Sequence, residues 1–174
     1  DMLKSKYGQL LDAQGQEYLD YIKQSSFTLS EYITGLLEHY ESDKTAALTD
    51  EVIDSVDLLE EVIELLNINI DCEINLPETN IELHANRAAL EQIILNLVGN
   101  SLKYNDKDRI IITIDCNEKD GFYHFTISDN GMGIPKDKLP HIFNLFATTG
   151  TLDRYGKKGN GIGLSTVKKL VTKR

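Results

Sequence analysis

The chain has 174 residues, of which 41% are hydrophobic and 26% charged, and these proportions are typical of a soluble globular protein with a sizeable core. Its formal net charge of −10 argues against a nucleic-acid partner, because binding to phosphates needs clustered Lys and Arg. The two cysteines, Cys72 and Cys116, are interpreted as buried free thiols of a reducing compartment rather than as a disulfide or metal site. The sequence shows no signal peptide and no apolar run long enough to cross a bilayer, so we expect a cytoplasmic chain without membrane contact.

Residues 7–40 predict one long helix. They contain no proline, and apolar side chains recur at a near-heptad spacing at Leu11, Tyr18, Ile22, Leu29, Ile33, Leu36 and Tyr40. A helix of about 34 residues would be roughly 50 Å long, which exceeds the surface of one small domain. We therefore expect a helical hairpin or a dimerisation element, and a simple linker helix is the alternative.

The polar residues 41–45 end this pattern, and we place a domain boundary between residues 46 and 47, giving domains 1–46 and 47–174. In chain order, the sequence of the second domain first predicts a strand at Val52–Ile53 and Val56 and a helix capped by Asp57 and ending near Leu66. Strands at Asp71–Leu76 and Ile81–His84 follow, and then a helix capped by Asn86 and running to about Tyr104. A hairpin of strands Ile110–Cys116 and Phe122–Ser128 comes next. Helices that alternate with mostly antiparallel strands indicate an α/β (α+β) fold, a two-layer sandwich preceded by the long helix.

The helix that ends near Tyr104 carries a polar stripe. Asn96, Asn100 and Lys103 are spaced by four and three residues, so they share one face of the helix. The rest of the helix is largely apolar, and buried carboxamides need partners. A hydrated cation with a polyphosphate would supply them, whereas a solvated helix face is the alternative.

Two glycine-bearing segments follow. Asp129 stands at the end of a predicted strand and precedes Gly131 and Gly133, an arrangement that places a carboxylate at the rim of a cleft; an ordinary turn is the alternative. The second segment, residues 156–165, leads into an apolar helix, and such a loop presents backbone N–H groups to an anion. It matches neither the Walker loop nor the dinucleotide fingerprint. Between them, residues 147–158 predict a mobile lid or a plain surface loop.

Four segments resemble, in the right order, the sequence boxes of sensor histidine kinases. Asn96-x-x-x-Asn100-x-x-Lys103-Tyr104 looks like the N box, and Asp129-x-Gly131-x-Gly133 looks like the first glycine box. Ile142-Phe143-x-x-Phe146 is similar to the F box, and Gly159-x-Gly161-x-Gly163-Leu164-Ser165 to the second glycine box. The resemblance covers residues 48–172 as the ATP-binding catalytic domain, and it makes residues 7–40 look like the second helix of the dimerisation hairpin.

The resemblance implies roles for single residues. Asp129 would accept a hydrogen bond from the adenine amino group, and Asn100 would ligate Mg²⁺ with Asn96 close by. Lys103 would meet phosphate oxygens, and Tyr104 would line the base or ribose. The remaining positions implied for ATP binding are Gly131, Gly133, Ile134, Phe146, Gly159, Gly161, Gly163 and Leu164.

The resemblance further implies a histidine protein kinase of a two-component system that acts as a homodimer through its N-terminal helix and passes phosphate to the receiver domain of a response regulator. None of the four histidines stands in the family's acceptor motif: His39, His84, His124 and His141, the last of which is expected to start an F-box helix. We expect both ends to be truncated, the chain to be the cytoplasmic part of a larger sensor, and no self-phosphorylation by this chain, so no catalytic residue is assigned.

Two other functions compete with this reading. The ATP-hydrolysing switches of the gyrase and mismatch-repair type share the pocket, but they carry a glutamate where Asn96 stands. Because an asparagine is a poor base, the sequence favours the kinase. The third possibility is a non-catalytic nucleotide-binding module.

Overall fold

A computed structural model describes residues 50–172 together with residues 12, 14–19, 22, 26 and 33. The chain divides into two compact units, Asp1–Glu38 and His39–Arg174. The predicted boundary between residues 46 and 47 lies outside the described residues and stays a prediction.

The described part of the first unit is helical at residues 14–19, 22, 26 and 33. Asp12 caps the start of the first stretch, where its carboxylate accepts a hydrogen bond from the backbone N–H of Gly15 at 2.8 Å. Tyr18, Ile22 and Ile33 belong to the predicted apolar seam, and each is more than half exposed. The other seam positions, Leu11, Leu29, Leu36 and Tyr40, lie outside the described residues, so pairing through this seam stays a prediction.

In the second unit, helices and strands alternate as predicted. The elements are β1 (Glu51–Asp54), α1 (Ser55–Leu65), β2 (Cys72–Asn75), β3 (Glu82–Ala85), α2 (Arg87–Lys103), β4 (Ile110–Lys119), β5 (Phe122–Asp129) and α3 (Gly163–Thr172). Helices on one side and strands on the other form two layers, which confirms the predicted α/β fold class.

The strands form two sheets. β1 and β3 pair antiparallel, and a three-stranded sheet has the order β2-β4-β5. In that sheet β4 runs antiparallel to β5, but β2 runs parallel to β4. The prediction of mostly antiparallel strands is therefore right for two of the three pairings. The parallel pair is possible because α2 lies in the connection from β2 to β4, and a helical crossover lets a second strand run in the same direction.

The main core lies between the three-stranded sheet and the helices. Fully buried apolar residues come from α1, α2 and alternate positions of β4: Leu59, Val62, Ile94, Val98, Ile110, Ile112 and Ile114. One face of β4 is thus covered by helices, and each large-to-small change there would cost about 2–5 kcal/mol. This packing fixes α2 over the sheet and so fixes the position of its polar stripe.

The predicted cap of α1 is wrong by one turn. Asp54, not Asp57, is the N-cap, and its carboxylate accepts hydrogen bonds from the N–H groups of Val56 and Asp57. The bond from the Asp57 N–H, followed by that from the Asn80 side chain, lowers the pKa of Asp54. Val56, predicted in a strand, is instead the second residue of the helix. Its N–H also donates a hydrogen bond to the Asn80 side-chain oxygen, which helps to hold this first turn.

Two other predicted elements differ. β4 continues to Lys119, and the hairpin closes on Asp120 and Gly121, whose φ angles of 54° and 77° suit a type I′ turn. The segment starting at His141 is not a regular helix but part of a series of single turns, with i to i+3 hydrogen bonds at Pro135, Lys138, His141 and Asn144. Pro140 lacks an N–H and disfavours helical geometry in the residue before it, so the turns on its two sides do not join into one helix.

Both cysteines are free, as predicted; Cys116 is buried, whereas Cys72 is only half-buried at the start of β2. Within the described residues, no helix combines the length and the apolar character that a membrane span requires.

Candidate nucleotide-binding site

The polar stripe predicted on α2 exists. The helix begins after Asn86, which caps it, and ends at Tyr104, as predicted. Ile94 and Val98 are fully buried on its core side, while Asn96, Asn100 and Lys103 are half-buried. The Asn96 side-chain nitrogen donates a hydrogen bond to the carbonyl of Gln92 at 2.8 Å. This bond fixes the Asn96 carboxamide so that its oxygen remains on the side of α3.

The second glycine segment lies against this stripe. Gly163 is the first residue of α3, and a methyl group on it would lie 2.7 Å from the Asn96 side-chain oxygen and 3.9 Å from the Asn100 side-chain nitrogen. A methyl group on Gly159 would overlap the Tyr104 hydroxyl. The two glycines thus allow a close approach between the backbone and α2. The N-terminal turn of α3, whose N–H groups favour an anion, lies beside the two asparagines.

Gly161 connects this segment to the predicted F box. Its φ of 69° is in the left-handed region, and a methyl group on it would lie 2.5 Å from the Ala147 carbonyl oxygen. Its own carbonyl accepts a hydrogen bond from the Phe146 N–H at 2.9 Å. Phe146 itself has a φ of 64°, which is unusual for a bulky residue, and its side chain is about half exposed. The chain is thus held in an irregular conformation where two of the predicted motifs meet.

Asp129 is the last residue of β5, as predicted, and its carboxylate is fixed by two hydrogen bonds. One oxygen accepts from the Gly131 N–H at 2.8 Å, and the other accepts from the Ser101 hydroxyl at 2.9 Å. Asp129 is exposed, and a carboxylate has more acceptor positions than these two donors use. It can therefore accept from an external amine while it keeps both bonds.

Three further residues predicted for the site follow Gly131 or Gly163 closely in the sequence. Gly133 has a φ of 70°, which favours glycine there, and Ile134 is exposed. Leu164 is half-buried in the first turn of α3. The structure brings Asn96, Asn100, Tyr104, Gly159 and Gly163 together.

A pair of asparagines that the motif analysis missed ties the site to the sheet. The Asn130 side-chain oxygen accepts from the buried Asn105 side chain and from the Ile111 N–H, each at 3.0 Å, and its nitrogen donates to the Arg109 carbonyl at 3.1 Å. The end of α2 is thereby joined to β4 directly beside Gly131, where a methyl group would lie 3.2 Å from the Asn105 nitrogen. Ser101 was missed as well, because its partner Asp129 is distant in sequence.

The predicted lid segment is docked on the end of α2. Asp153 is buried, and one of its oxygens accepts from the N–H groups of Tyr155 and Lys157 at 2.9 and 2.7 Å. Its other oxygen lies 4.0 Å from the Lys103 ammonium nitrogen. The Arg154 N–H donates to the Lys103 carbonyl at 2.9 Å. Lys103 therefore contacts the lid with both its backbone and its side chain.

The donor set suits Mg²⁺ held jointly with phosphates. Among the residues that the structure describes, no three His, Cys, Asp or Glu side chains cluster as a protein-only metal site would require. Asn96 instead offers an uncharged oxygen next to the Gly163 backbone, and the Asn100 carboxamide lies beside it. Mg²⁺ binds oxygen ligands, retains waters and takes few protein ligands beside substrate phosphates, so this set fits it.

None of the three histidines that the structure describes lies on α2 or α3, the helices that form the site. His84 is exposed on β3, His124 is exposed on β5, and His141 is exposed in the turn segment. Asn96 occupies the polar position opposite the glycine loop, and an asparagine cannot take a proton from water. His39 lies outside the described residues.

The model of the histidine kinase-, DNA gyrase B-, and HSP90-like ATPase family matches residues 85–174. That range, more than half of the chain, includes α2, the β4–β5 hairpin, the lid segment and α3.

The curated relatives include sensor proteins and a signal transduction histidine kinase. The chain is 37% identical over 172 residues to hybrid signal transduction histidine kinase L of Dictyostelium discoideum, with 88% of this chain and 10% of that protein covered. It is 31% identical over 172 residues to sensor protein KdpD of Clostridium acetobutylicum, with 94% and 19% covered. It is 36% identical over 105 residues to an aerobic respiration control sensor protein homolog of Haemophilus influenzae, with 60% and 30% covered. The chain thus spans at most about a third of these relatives.

Solved structures share the fold. The full-length ShkA structure in complex with AMPPNP superposes with a TM-score of 0.64 at 24% identity, over 93% of this chain and 34% of that chain. The mycobacterial sensor histidine kinase MprB superposes with a TM-score of 0.60 at 23% identity, over 72% and 80%. Together with the family model, these similarities confirm the resemblance seen in the sequence: the chain belongs to the family of histidine kinase-, DNA gyrase B- and HSP90-like ATPases.

Proposed function

We propose that this chain is the ATP-binding catalytic core of a two-component sensor histidine kinase, which binds Mg-ATP and supplies its γ-phosphate to a histidine outside this chain. One observation carries the proposal. Gly163 at the start of α3 lies against Asn96 on α2, and Gly159 in the preceding loop lies against Tyr104 at the end of α2. Ser101 on the same helix binds the strand-end carboxylate of Asp129. This arrangement supports a single nucleotide site whose base end and phosphate end lie along one helix.

Asp129 is the proposed adenine contact. A carboxylate only accepts hydrogen bonds, so it suits the exocyclic amine of adenine and repels the carbonyl oxygen that guanine has in the same place. Because Ser101 and Gly131 already hold both oxygens in position, binding adenine needs little further ordering of this side chain. The glycine at 133, with its positive φ, lets the backbone pass close to the base.

The phosphates are proposed to lie along the α2 stripe. Asn100, with Asn96 beside it, would hold Mg²⁺ through carboxamide oxygens, and the bound ion would neutralise charge on the phosphate oxygens. Lys103 adds a positive charge one turn further on, and the N-terminal turn of α3 adds N–H donors. Such transfer depends on positioning and on charge stabilisation, which these residues provide without forming a covalent bond themselves.

In the proposed reaction an imidazole nitrogen of the acceptor histidine attacks the γ-phosphorus. The bond to the bridging oxygen breaks, ADP leaves, and the phosphate later passes to an aspartate of a response regulator receiver domain. We propose that the whole protein is a cytoplasmic homodimer, or the cytoplasmic part of a larger sensor, paired through the seam that includes Tyr18, Ile22 and Ile33. The exposure of these three side chains supports such pairing.

The alternative of an ATP-hydrolysing switch lacks support in this site. Hydrolysis needs a base that orients and activates water, and the position beside the glycine loop holds Asn96. The Asn96 side-chain nitrogen donates a hydrogen bond to the Gln92 carbonyl, which holds the side chain in one orientation. Its oxygen can then ligate a bound ion, but the carboxamide cannot act as a base.

Isothermal titration calorimetry with Mg-ATP and Mg-GTP tests the proposal. The parent chain should prefer ATP, and Asp129→Asn should weaken ATP binding by about 1.5–3 kcal/mol, the range for a hydrogen bond to a charged group. Asp115→Asn is the matched control, because Asp115 is exposed in the middle of β4 and the same charge is removed. Equal affinities of the parent chain for ATP and GTP would reject Asp129 as the adenine contact.

A further inference from the structure

We infer that Asp153 is an internal competitor for the phosphate-binding lysine, so that the lid carboxylate and a nucleotide phosphate exclude each other at Lys103. The inference rests on the proposed function of this site, because it needs a nucleotide whose phosphates meet Lys103. It assigns to Asp153 a role in setting nucleotide affinity.

The two Asp153 oxygens have different partners. One accepts the N–H groups of Tyr155 and Lys157 and so shapes the lid turn. The other lies 4.0 Å from the Lys103 ammonium group. Only 2% of the Asp153 side chain is exposed, so these partners, and not water, stabilise its negative charge. The carboxylate therefore stands next to Lys103 as an anionic oxygen, as a phosphate would.

Lys103 is partly exposed and only loosely paired. Its side chain is 40% exposed, and at 4.0 Å its nitrogen is too far from the Asp153 oxygen for a direct hydrogen bond, so the ammonium group can exchange this partner for another. A phosphate carries more charge than a carboxylate and would be favoured at the same ammonium group. Binding of a nucleotide should therefore displace Asp153 rather than add to the existing pair.

The Asp153–Lys103 pair is part of the contact between the lid and the end of α2. The backbone N–H of Arg154 donates to the Lys103 carbonyl, and Leu152 bridges to Lys158 across the same turn. These contacts fasten the lid to the end of α2, and the Asp153–Lys103 contact is the charged part of this attachment. When a phosphate takes Lys103, the lid loses that part of its attachment.

Asp153→Asn separates the two roles of this side chain. Asparagine keeps an oxygen that can accept the N–H groups of Tyr155 and Lys157, but it loses the negative charge that faces Lys103. We expect Mg-ATP to bind about two- to fivefold more tightly, the range for an ion pair with one exposed partner, and adenosine to bind as before. Asp106→Asn is the matched control, because Asp106 is paired with Lys107 at the surface and the same charge is lost.

The coupling is tested by repeating the titration in a Lys103→Met background, where Asp153→Asn should change nothing further. Equal tightening in both backgrounds, or none in the parent chain, would overturn the inference while leaving the proposed function intact. Failure of the parent chain to bind Mg-ATP at all would overturn both.

A second measurement keeps the inference testable if thermal melting shows that Asp153→Asn does not fold. Lys103→Met removes only the charged contact and keeps the Arg154–Lys103 backbone bond, so it should loosen the lid and speed tryptic cleavage after Arg154, Lys157 or Lys158 by at least about twofold. An unchanged cleavage rate would show that Lys103 does not hold the lid through Asp153.

Discussion

Gly163→Ala offers a test of the site that leaves the fold in place. The added methyl group would lie 2.7 Å from the Asn96 side-chain oxygen, a distance too short to persist. That oxygen is the end of a side chain, so we expect Asn96 to rotate and to lose its hydrogen bond to the Gln92 carbonyl. The lost bond costs about 0.5–1.5 kcal/mol, and replacing a glycine by alanine in a helix returns about 0.5–1 kcal/mol. The free energy of unfolding should therefore change by less than about 1 kcal/mol.

Nucleotide binding should respond much more strongly to Gly163→Ala. A displaced Asn96 leaves the phosphate side without one oriented oxygen, and the methyl group also approaches Asn100. Loss of about 1–2 kcal/mol corresponds to a Kd for Mg-ATP that is about 5- to 30-fold higher. Urea denaturation would report the stability, and calorimetry the affinity.

Gly99→Ala is the matched control for this variant. Gly99 lies on α2, close in sequence to Asn96 and Asn100, and a methyl group there would meet nothing within 4 Å. It should raise the free energy of unfolding by about 0.5–1 kcal/mol and leave the Kd for Mg-ATP unchanged. If Gly163→Ala and Gly99→Ala bind Mg-ATP equally well, the reasoning that places phosphates between α3 and Asn96 is wrong.

Three more predictions follow from single residues. Asn100→Ala should raise the Kd for Mg-ATP at least about tenfold but leave metal-free adenosine binding unchanged; calorimetry with both ligands decides, and equal losses would count against a metal role. Gly161→Ala should lower the free energy of unfolding by at least about 2 kcal/mol in urea, because a left-handed φ and the Ala147 carbonyl at 2.5 Å both oppose a side chain; unchanged stability would contradict that contact. Burial raises the pKa of Cys116 from 9.0 to about 11, so the unfolded chain loses this proton first. The contribution of Cys116 to the free energy of unfolding should therefore be fully present below pH 9 and be lost as the pH rises toward 11. In denaturation measured at several pH values, Cys116→Ala should make this decrease smaller.

The parts of the site that the sequence predicted are those set by local spacing. Asn96, Asn100 and Lys103 share a face because a helix repeats every 3.6 residues, and the hydrophobic pattern identified that helix together with its Asn86 cap. Asp129 follows an alternating strand, so its place at the strand end was predictable too.

The parts that the sequence did not predict depend on contacts between distant segments. Ser101 binds Asp129 across 28 positions, and Asn105 meets Asn130 across 25. No local period encodes such pairs. Asp153 looked like one polar residue in a polar loop, and its burial against α2 depends on the packing of the whole lid. The cap of α1 was misplaced for the same reason, because Asn80, which supports Asp54, comes from the loop before β3.

The most direct test of the kinase proposal is phosphate transfer in trans. The chain would be incubated with ATP labelled on the γ-phosphate and with a separate helical hairpin that contains an acceptor histidine, alongside the Asn100→Ala variant. The account predicts acid-labile label on the hairpin histidine with the parent chain, much less with Asn100→Ala, and none on the chain itself. Release of labelled inorganic phosphate without phosphohistidine would contradict the account and would favour an ATP-hydrolysing switch.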